Sequence, residues 1–304
     1  MLSSQELINQ YLTDQAAIYP KKDIGIVSIT GPDAKKFLQG QTTCDLNKVT
    51  ESTGVYGAIC TNKGRIICNF FLMQLTDRLL LLMSQDLVDT SLSHLKKYAV
   101  FFKAELTDAT DAFTLVEKIT FSKAEKTDQL PEHFPVQHQD NAISLQLANY
   151  PLQLEWQLIS APAQPTEQQA QLSGLSLLTA RPLISKAQSE NLLPQWLNMQ
   201  INGGISFTKG CYTGQEIVAR MKYRGKSKKH LALAYWPTGV VDTQQNIQDD
   251  QGKTIGEVFA AAALGEGYLG QIILNQDPSE LQALYLGDTK IDLVELPYQL
   301  DLAD

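Results

Sequence analysis

The sequence ISFTKGCYTGQEIVARMKYRGKSKKHL, residues 205–231, places Cys211 between two glycines and follows it with a dense run of lysines and arginines. Thr213 and Glu216 have the spacing of a capping box, in which the two side chains satisfy free backbone amides at the start of a helix. We therefore predict a helix over 214–223. This helix would leave Cys211 just before its N-terminus.

Cys211 is the first candidate for chemistry. A helix N-terminus carries a partial positive charge, and Lys209 adds a full charge two residues away, so both favour the thiolate over the thiol. Cys211 and Lys209 are therefore candidate catalytic residues. The alternative is an inert, buried cysteine, which is a common fate of free cysteines.

The cations after Cys211 stand out because the chain as a whole carries a net charge of -8. One interpretation is a solvated helix end and loop. The other is an anion-binding wall for a polycarboxylate, a phosphate or an RNA backbone. The overall negative charge argues against general nucleic-acid binding, which depends on many phosphate contacts. The cations are Arg220, Lys222, Arg224, Lys226, Lys228 and Lys229.

The rest of the chain mixes strand and helix patterns at first and changes to short strands after His230. Alternating apolar and polar residues predict a strand that ends at Gly31. A short helix should follow, with Pro32 at its first position and Gly40 as a left-handed stop. Residues 54–75 predict a β-hairpin. The strand-like segments after His230 are typical of a small antiparallel barrel or sandwich.

The composition is that of a globular protein. The 304 residues are 43% hydrophobic and 19% charged, which is enough for a sizeable core and about two domains. The N-terminus lacks the pattern of a signal peptide, and the apolar runs fall short of the roughly 18 residues of a membrane span. We therefore expect a cytoplasmic protein with no membrane segment. The four cysteines lack metal-ligand spacing, so we expect free thiols and no metal site.

Four blocks of the sequence resemble those of one family. KGCYTGQE at 209–216, preceded by GGISF and followed by VARMKYRG, is similar to the signature of the YgfZ family of folate-binding proteins. These proteins are relatives of the glycine-cleavage aminomethyltransferase. The blocks at 29–46, 57–72 and 95–103 resemble the N-terminal part of the same family in order and spacing.

The resemblance implies a fold that the local patterns alone do not give. We expect an α+β protein with an aminomethyltransferase-like folate-binding region over 1–230, built from two interleaved α+β subdomains around a central channel. A C-terminal antiparallel β-barrel should follow over 231–304. The strand-rich pattern after His230 agrees with that barrel, and we expect a monomer.

The resemblance also implies a ligand and a role. Members of the family bind tetrahydrofolate or a derivative and support particular iron-sulfur enzymes, including enzymes that thiomethylate tRNA. The motif cysteine, here Cys211, is then the working thiol. The other implied folate-binding residues are Tyr212, Gln215, Glu216, Arg220, Arg224, Gln41 and Asp45, with the two arginines attracting the glutamate tail.

Two features differ from the family pattern, and two other functions fit the same residues. Ile24 and Leu172 stand where some members place tryptophans in the folate pocket, and 179–185 lacks a carboxylate that could hydrogen-bond the pterin. One alternative function is an aminomethyltransferase acting on a lipoyl-bound intermediate. The other is a binding module without chemistry, whose basic face contacts tRNA or a partner enzyme.

Overall fold

Antiparallel strands make up most of the fold. The computed structural model describes residues 1–13, 16–127, 130–139, 142–159, 167–223, 227–238, 245–281 and 283–300. The α-helices are α1 (Ser4–Tyr11), α2 (Ala34–Gln39), α3 (Val88–Ala99) and α4 (Gln215–Tyr223). Short 3-10 helices span Leu46–Lys48, Gln85–Leu87, Thr110–Ala112, Glu167–Thr179, Lys186–Gln188, Pro194–Leu197 and Pro278–Glu280. The strands are β1 (Ala16–Pro20), β2 (Ile24–Thr30), β3 (Thr53–Cys60), β4 (Ile66–Gln74), β5 (Arg78–Ser84), β6 (Glu105–Asp108), β7 (Thr114–Phe121), β8 (His133–Gln139), β9 (Ala142–Ala148), β10 (Leu152–Ile159), β11 (His230–Trp236), β12 (Asn246–Gln248), β13 (Thr254–Leu264), β14 (Gly267–Leu274), β15 (Leu284–Leu286) and β16 (Thr289–Val294).

Ten strands form one antiparallel sheet in the order β1-β7-β10-β9-β8-β3-β4-β5-β2-β6. Its two halves meet where β3 pairs with β8, through Thr53 opposite Pro135 and Gly54 opposite Phe134. Strand β1 belongs to the half built from β7 to β10, whereas β2, the next strand in the chain, belongs to the other half. The two halves are therefore interleaved in sequence, which confirms the α+β architecture that the resemblance implied.

The last six strands close into a barrel in the order β11-β14-β13-β12-β15-β16, which confirms the predicted C-terminal barrel. The barrel has its own apolar core around the fully buried Trp236. It is tied to the rest of the chain by Asn198, whose amide donates to Leu231 O and to the Tyr298 hydroxyl at 2.9 Å each. Helix α1 adds a hydroxyl contact of 2.8 Å between Tyr11 and Tyr235.

Most of the predicted local structure is present, with one error. Strand β2 and the β3–β4 hairpin form where predicted, α2 begins at Ala34 rather than Pro32, and α4 begins one residue later than expected. Gly40 is not a left-handed stop, because its φ is -83°. The amides of Gly40 and Gln41 bond back to Phe37 and Leu38, so the chain leaves α2 through further right-handed turns.

Packing inside the barrel makes Gly270 intolerant of a side chain. A Cβ atom at Gly270 would lie 2.4 Å from Cη2 of Trp236. We expect Gly270→Ala to lower the free energy of unfolding by about 1–3 kcal/mol, since overpacking forces a core side chain off its rotamer. Urea unfolding measures this loss. Gly40→Ala is the control, because its nearest neighbour would lie 3.7 Å away; equal loss in the two variants would contradict the prediction.

Candidate functional site

The KGCYTGQE segment lies against the loop after α2 and the turn between β3 and β4. The Thr213 amide donates to Gly40 O at 3.2 Å. Gly214 has a φ of +85°, and a Cβ atom there would lie 2.5 Å from Thr61 O. This close contact, together with the left-handed backbone, requires glycine at the residue before α4.

Lys209 holds the loop after α2 in place. Its ammonium donates to the carbonyl oxygens of Gln39 at 2.8 Å, Thr42 at 2.6 Å and Cys44 at 2.7 Å. Burial lowers the pKa of Lys209 to about 8 because desolvation penalises the charged form, so the side chain is still charged at neutral pH. An ammonium has three protons to donate, and these three carbonyls use all of them. Lys209 therefore has no proton left to donate to a Cys211 thiolate.

Cys211 is exposed, whereas Cys44, Cys60 and Cys68 are buried, and all four are free. The interpretation of Cys211 as an inert buried cysteine is therefore wrong. Burial raises the pKa of Cys44 to about 11 and that of Cys68 to about 12, and it raises the pKa of Cys60 further. Of the four thiols, Cys211 is the one that a partner or reagent can reach.

The other predicted site residues fall into two groups. Gln41, Asp45 and Tyr212 lie with Lys209 around the loop after α2, where the Lys209 ammonium is 5.1 Å from the centre of the Tyr212 ring. Asp45 accepts hydrogen bonds from the Asn47 amide and the Gln39 side chain. On α4, Gln215 is half-buried, and Glu216 and Arg220 are exposed. Arg224 and Lys226 lie outside the described residues.

A cavity of about 630 Å³ lies between the two halves of the sheet and the barrel. Its aromatic walls come from Tyr19, Phe71 and Trp156, and β13 contributes Ala260–262 from the barrel side. Ile24, which stands where some family members place a tryptophan, also lines the cavity. A tryptophan is nevertheless present in the wall, because β10 contributes Trp156. Among the described residues, none of the predicted site residues lines this cavity.

One wall of the cavity holds a carboxylate that the sequence interpretation missed. Glu117 is 1% exposed and accepts hydrogen bonds from the Tyr19 hydroxyl and, at 2.7 Å, from Trp156 Nε1. In register, Glu117 is opposite Tyr19 on β1 and opposite Trp156 on β10, so the three side chains form one row across three strands. The sequence feature that could have revealed Glu117 is an acidic residue at an inward-facing position of β7, between the buried Leu115 and Ile119.

The charged residues of the cavity differ in what they can still bind. Arg181 is buried and uses three of its five N–H groups on backbone carbonyls, those of Asn202, Leu147 and Pro131. Burial lowers the pKa of Arg181 to about 10. Burial also acts to lower the pKa of Lys21, but the negative charges of Glu117 and Asp23 outweigh this effect. The pKa of Lys21 is therefore above its ordinary value.

The sequence is similar to that of known proteins along most of its length. It is 33% identical over 306 residues to the tRNA-modifying protein YgfZ of Pectobacterium carotovorum, covering 91% of this chain and 90% of that protein. It is 35% identical to the protein of the same name from Hamiltonella defensa, covering 84% and 82%. This chain belongs to the YgfZ family. The YgfZ resemblance drawn from the four motif blocks is thereby confirmed.

Two further comparisons concern the fold of this YgfZ-family chain. Residues 10–118 match the GCVT N-terminal domain model. The structure is similar to that of the glycine cleavage system aminomethyltransferase T from Bartonella henselae, with a TM-score of 0.66 at 12% identity, covering 96% of this chain and 89% of that one. The YgfZ-family chain therefore has an aminomethyltransferase-like fold.

The residue ranges that the structure describes contain no group of three or more His, Cys, Asp or Glu residues that could hold a metal ion. They also contain no helix with the length and apolar character needed to cross a membrane.

The three carbonyl bonds of Lys209 predict a structural role that mutation can measure. Lys209→Met keeps most of the aliphatic stem and removes the donors, which leaves buried carbonyl oxygens without partners. We expect the free energy of unfolding to fall by about 2–4 kcal/mol, read from urea unfolding. Lys228→Met is the control, since Lys228 is exposed. A Lys209→Met protein as stable as this control would rule out the role.

The burial of the other three cysteines predicts selective labelling of Cys211. Treating the folded protein with iodoacetamide at about pH 8 should modify one thiol per chain, because the reagent can reach the exposed Cys211 while burial shields the other three thiols and raises their pKa values. Peptide mass spectrometry should locate the label at Cys211, and Cys211→Ser should abolish it. Labelling of Cys44, Cys60 or Cys68 should require denaturant; modification of any of them in the folded state would contradict the assignment.

Proposed function

We propose that this protein binds tetrahydrofolate or a derivative in the central cavity and works as a cytoplasmic factor that supports iron-sulfur enzymes, and through them tRNA modification. Cys211 is its working thiol. The proposed link to tRNA modification is supported by the relatives, which are named as tRNA-modifying proteins. The observation that supports the proposal is the cavity, whose walls combine three aromatic side chains with the exposed Lys22.

The cavity suits a flat heterocycle joined to an anionic tail. Ligand sites are mostly apolar clefts of about 300–1,000 Å³ with a few convergent polar groups, and this cavity has about 630 Å³. Tyr19, Phe71 and Trp156 offer faces for ring packing, with Phe71 and Trp156 edge-to-face at 5.2 Å. Lys22 is exposed and also lines the cavity, so a cation is available near solvent for a carboxylate tail.

Cys211 contributes from outside this cavity. The motif around it is fixed by Lys209 and Gly214, while the thiol itself faces solvent. An exposed thiol on a rigid support fits a transient contact with a client protein, either as a nucleophile, as a redox thiol or as a passing ligand of a cluster. Arg220 and Lys228 are exposed nearby in sequence and add positive charge for an acidic client surface.

Anaerobic calorimetry with tetrahydrofolate tests the ligand. We expect saturable binding at about one site per chain. Cys211→Ala should bind tetrahydrofolate as the wild type does, because Cys211 does not line the cavity. The same variant should fail to restore tRNA thiomethylation in a strain that lacks this protein, while Cys44→Ser, a change at a buried cysteine, should restore it if it folds.

The outcomes separate the two halves of the proposal. Absence of tetrahydrofolate binding by the wild type would end the ligand assignment. Full complementation by Cys211→Ala would end the role of the thiol. Neither result would alter the other half, because the thiol and the cavity are formed by different residues.

Aminomethyltransferase activity is the rival function to the non-enzymatic factor. It is suggested by the fold, because the structural match to an enzyme of that name spans nearly the whole chain. That activity would transfer the methylene carbon of an aminomethyl-lipoyl carrier to tetrahydrofolate, which gives methylenetetrahydrofolate and releases ammonia and the dihydrolipoyl carrier. Turnover above a blank without protein would favour the rival, and its absence would leave the non-enzymatic factor.

Docking of tRNA on the basic face is the third function, and one contact favours it. Two cations lie over the ring of Trp196: the Arg65 guanidinium is 5.1 Å from the ring centre and the Lys229 ammonium is 4.5 Å from it. Cations from the β3–β4 hairpin and from the segment after α4 thus meet on one surface. Binding of tRNA that weakens steeply with salt would support this function.

A further inference from the structure

Glu117 is a buried carboxylate whose partners inside the protein are neutral. The Tyr19 hydroxyl and the Trp156 indole each donate one hydrogen bond to it. The charge of Glu117 acts to raise the pKa of Lys21, but the Lys21 ammonium donates its hydrogen bond to Asp23, at 3.1 Å. Burying a charge without a cation in contact with it is costly, so such groups are concentrated at functional sites.

The hydrogen-bonding capacity of Glu117 is only half used. Each carboxylate oxygen has two acceptor positions, and Tyr19 and Trp156 occupy one position on each oxygen. One position therefore remains on each oxygen of a side chain that lines the cavity. Two parallel acceptors of this kind match a ligand edge that presents two adjacent N–H donors, as an amidine or a guanidinium does.

The surroundings of Glu117 specify the rest of that ligand. The aromatic groups of the row, Tyr19 and Trp156, are on either side of the carboxylate, and Phe71 packs on Trp156. A flat ring could enter with its faces on aromatic carbon and its donor edge on the carboxylate. A reduced pterin has this shape, since its ring N–H and its 2-amino group form an adjacent pair of donors.

We propose that Glu117 is the residue that recognises the heterocycle, by accepting hydrogen bonds from the ring N–H and the 2-amino group of a pterin, while Tyr19 and Trp156 hold its carboxylate in position. This inference rests on the proposed folate binding and deepens it. It also defines the specificity of the cavity: heterocycles with an N–H/NH₂ edge bind, and analogues with a carbonyl in place of the amino group are rejected.

The test compares two ligands that differ at that edge. Pterin carries the 2-amino group, and lumazine carries a carbonyl there. We expect the wild type to bind pterin about 10- to 100-fold more tightly than lumazine, since a charge-assisted hydrogen bond is lost and a carbonyl then faces a carboxylate. Both affinities are measured by anaerobic titration, alongside tetrahydrofolate itself.

Glu117→Gln should remove the preference, because a glutamine amide presents one donor and one acceptor and accommodates either ligand edge. The same variant should bind tetrahydrofolate about 10- to 100-fold more weakly than the wild type. Glu155→Gln is the matched control. It removes a carboxylate from β10 next to Trp156, but strand alternation points it to the opposite side of the sheet. It should keep the wild-type preference.

Tyr19→Phe is the second variant and tests the positioning of the carboxylate. It keeps the aromatic ring but removes one of the two donors that hold Glu117, so pterin should bind more weakly than in the wild type. This result keeps the test decisive if Glu117→Gln does not fold; pterin affinity equal to that of the wild type would then overturn the proposal.

The remaining outcomes separate this inference from the proposed function. Tetrahydrofolate binding with no preference between pterin and lumazine overturns the role of Glu117 and leaves folate binding intact. An unchanged preference in Glu117→Gln does the same. If the wild type binds neither tetrahydrofolate nor pterin, both the inference and the folate-binding proposal fall.

Discussion

The pairing of β1 with β7 is the contact on which the rest of the structure depends. Five residue pairs, from Ala16 opposite Thr120 to Pro20 opposite Val116, take the N-terminal strand into the second half of the sheet. The chain must then cross back through residues 21–23 to begin β2 in the first half. This crossing interleaves the halves, encloses the cavity between them, and brings Tyr19 to Glu117.

The same topology separates the cavity from Cys211. The cavity is made by the sheet and the barrel, with a buried acid at Glu117 and a cation near solvent at Lys22. Cys211 lies on a segment packed against the outside of the β3–β4 turn. The cavity and the thiol therefore lie on different surfaces, and Lys209 and Gly214 of the motif fix the segment that carries the thiol rather than forming the cavity.

Lys209 shows that the contacts of a motif residue depend on the tertiary structure. Its position two residues before Cys211 suggests activation of the thiol, because proximity in sequence suggests proximity of charge. In the folded chain its ammonium is directed at the carbonyls of Gln39, Thr42 and Cys44, more than 160 residues earlier. No local pattern could reveal those acceptors, since they come together only when the motif docks on the loop after α2.

By itself, the sequence determined the features that depend on local backbone preference and on motif similarity: β2, α2, the β3–β4 hairpin, α4, the barrel and the family. Periodicity and turn residues encode these directly, since each depends on neighbours within a few positions. The tertiary structure alone decided that Cys211 is exposed, that Lys209 is a structural cation, and that Glu117 faces a cavity. Each of these depends on cross-strand register and long-range docking, which bring together residues that no local window contains.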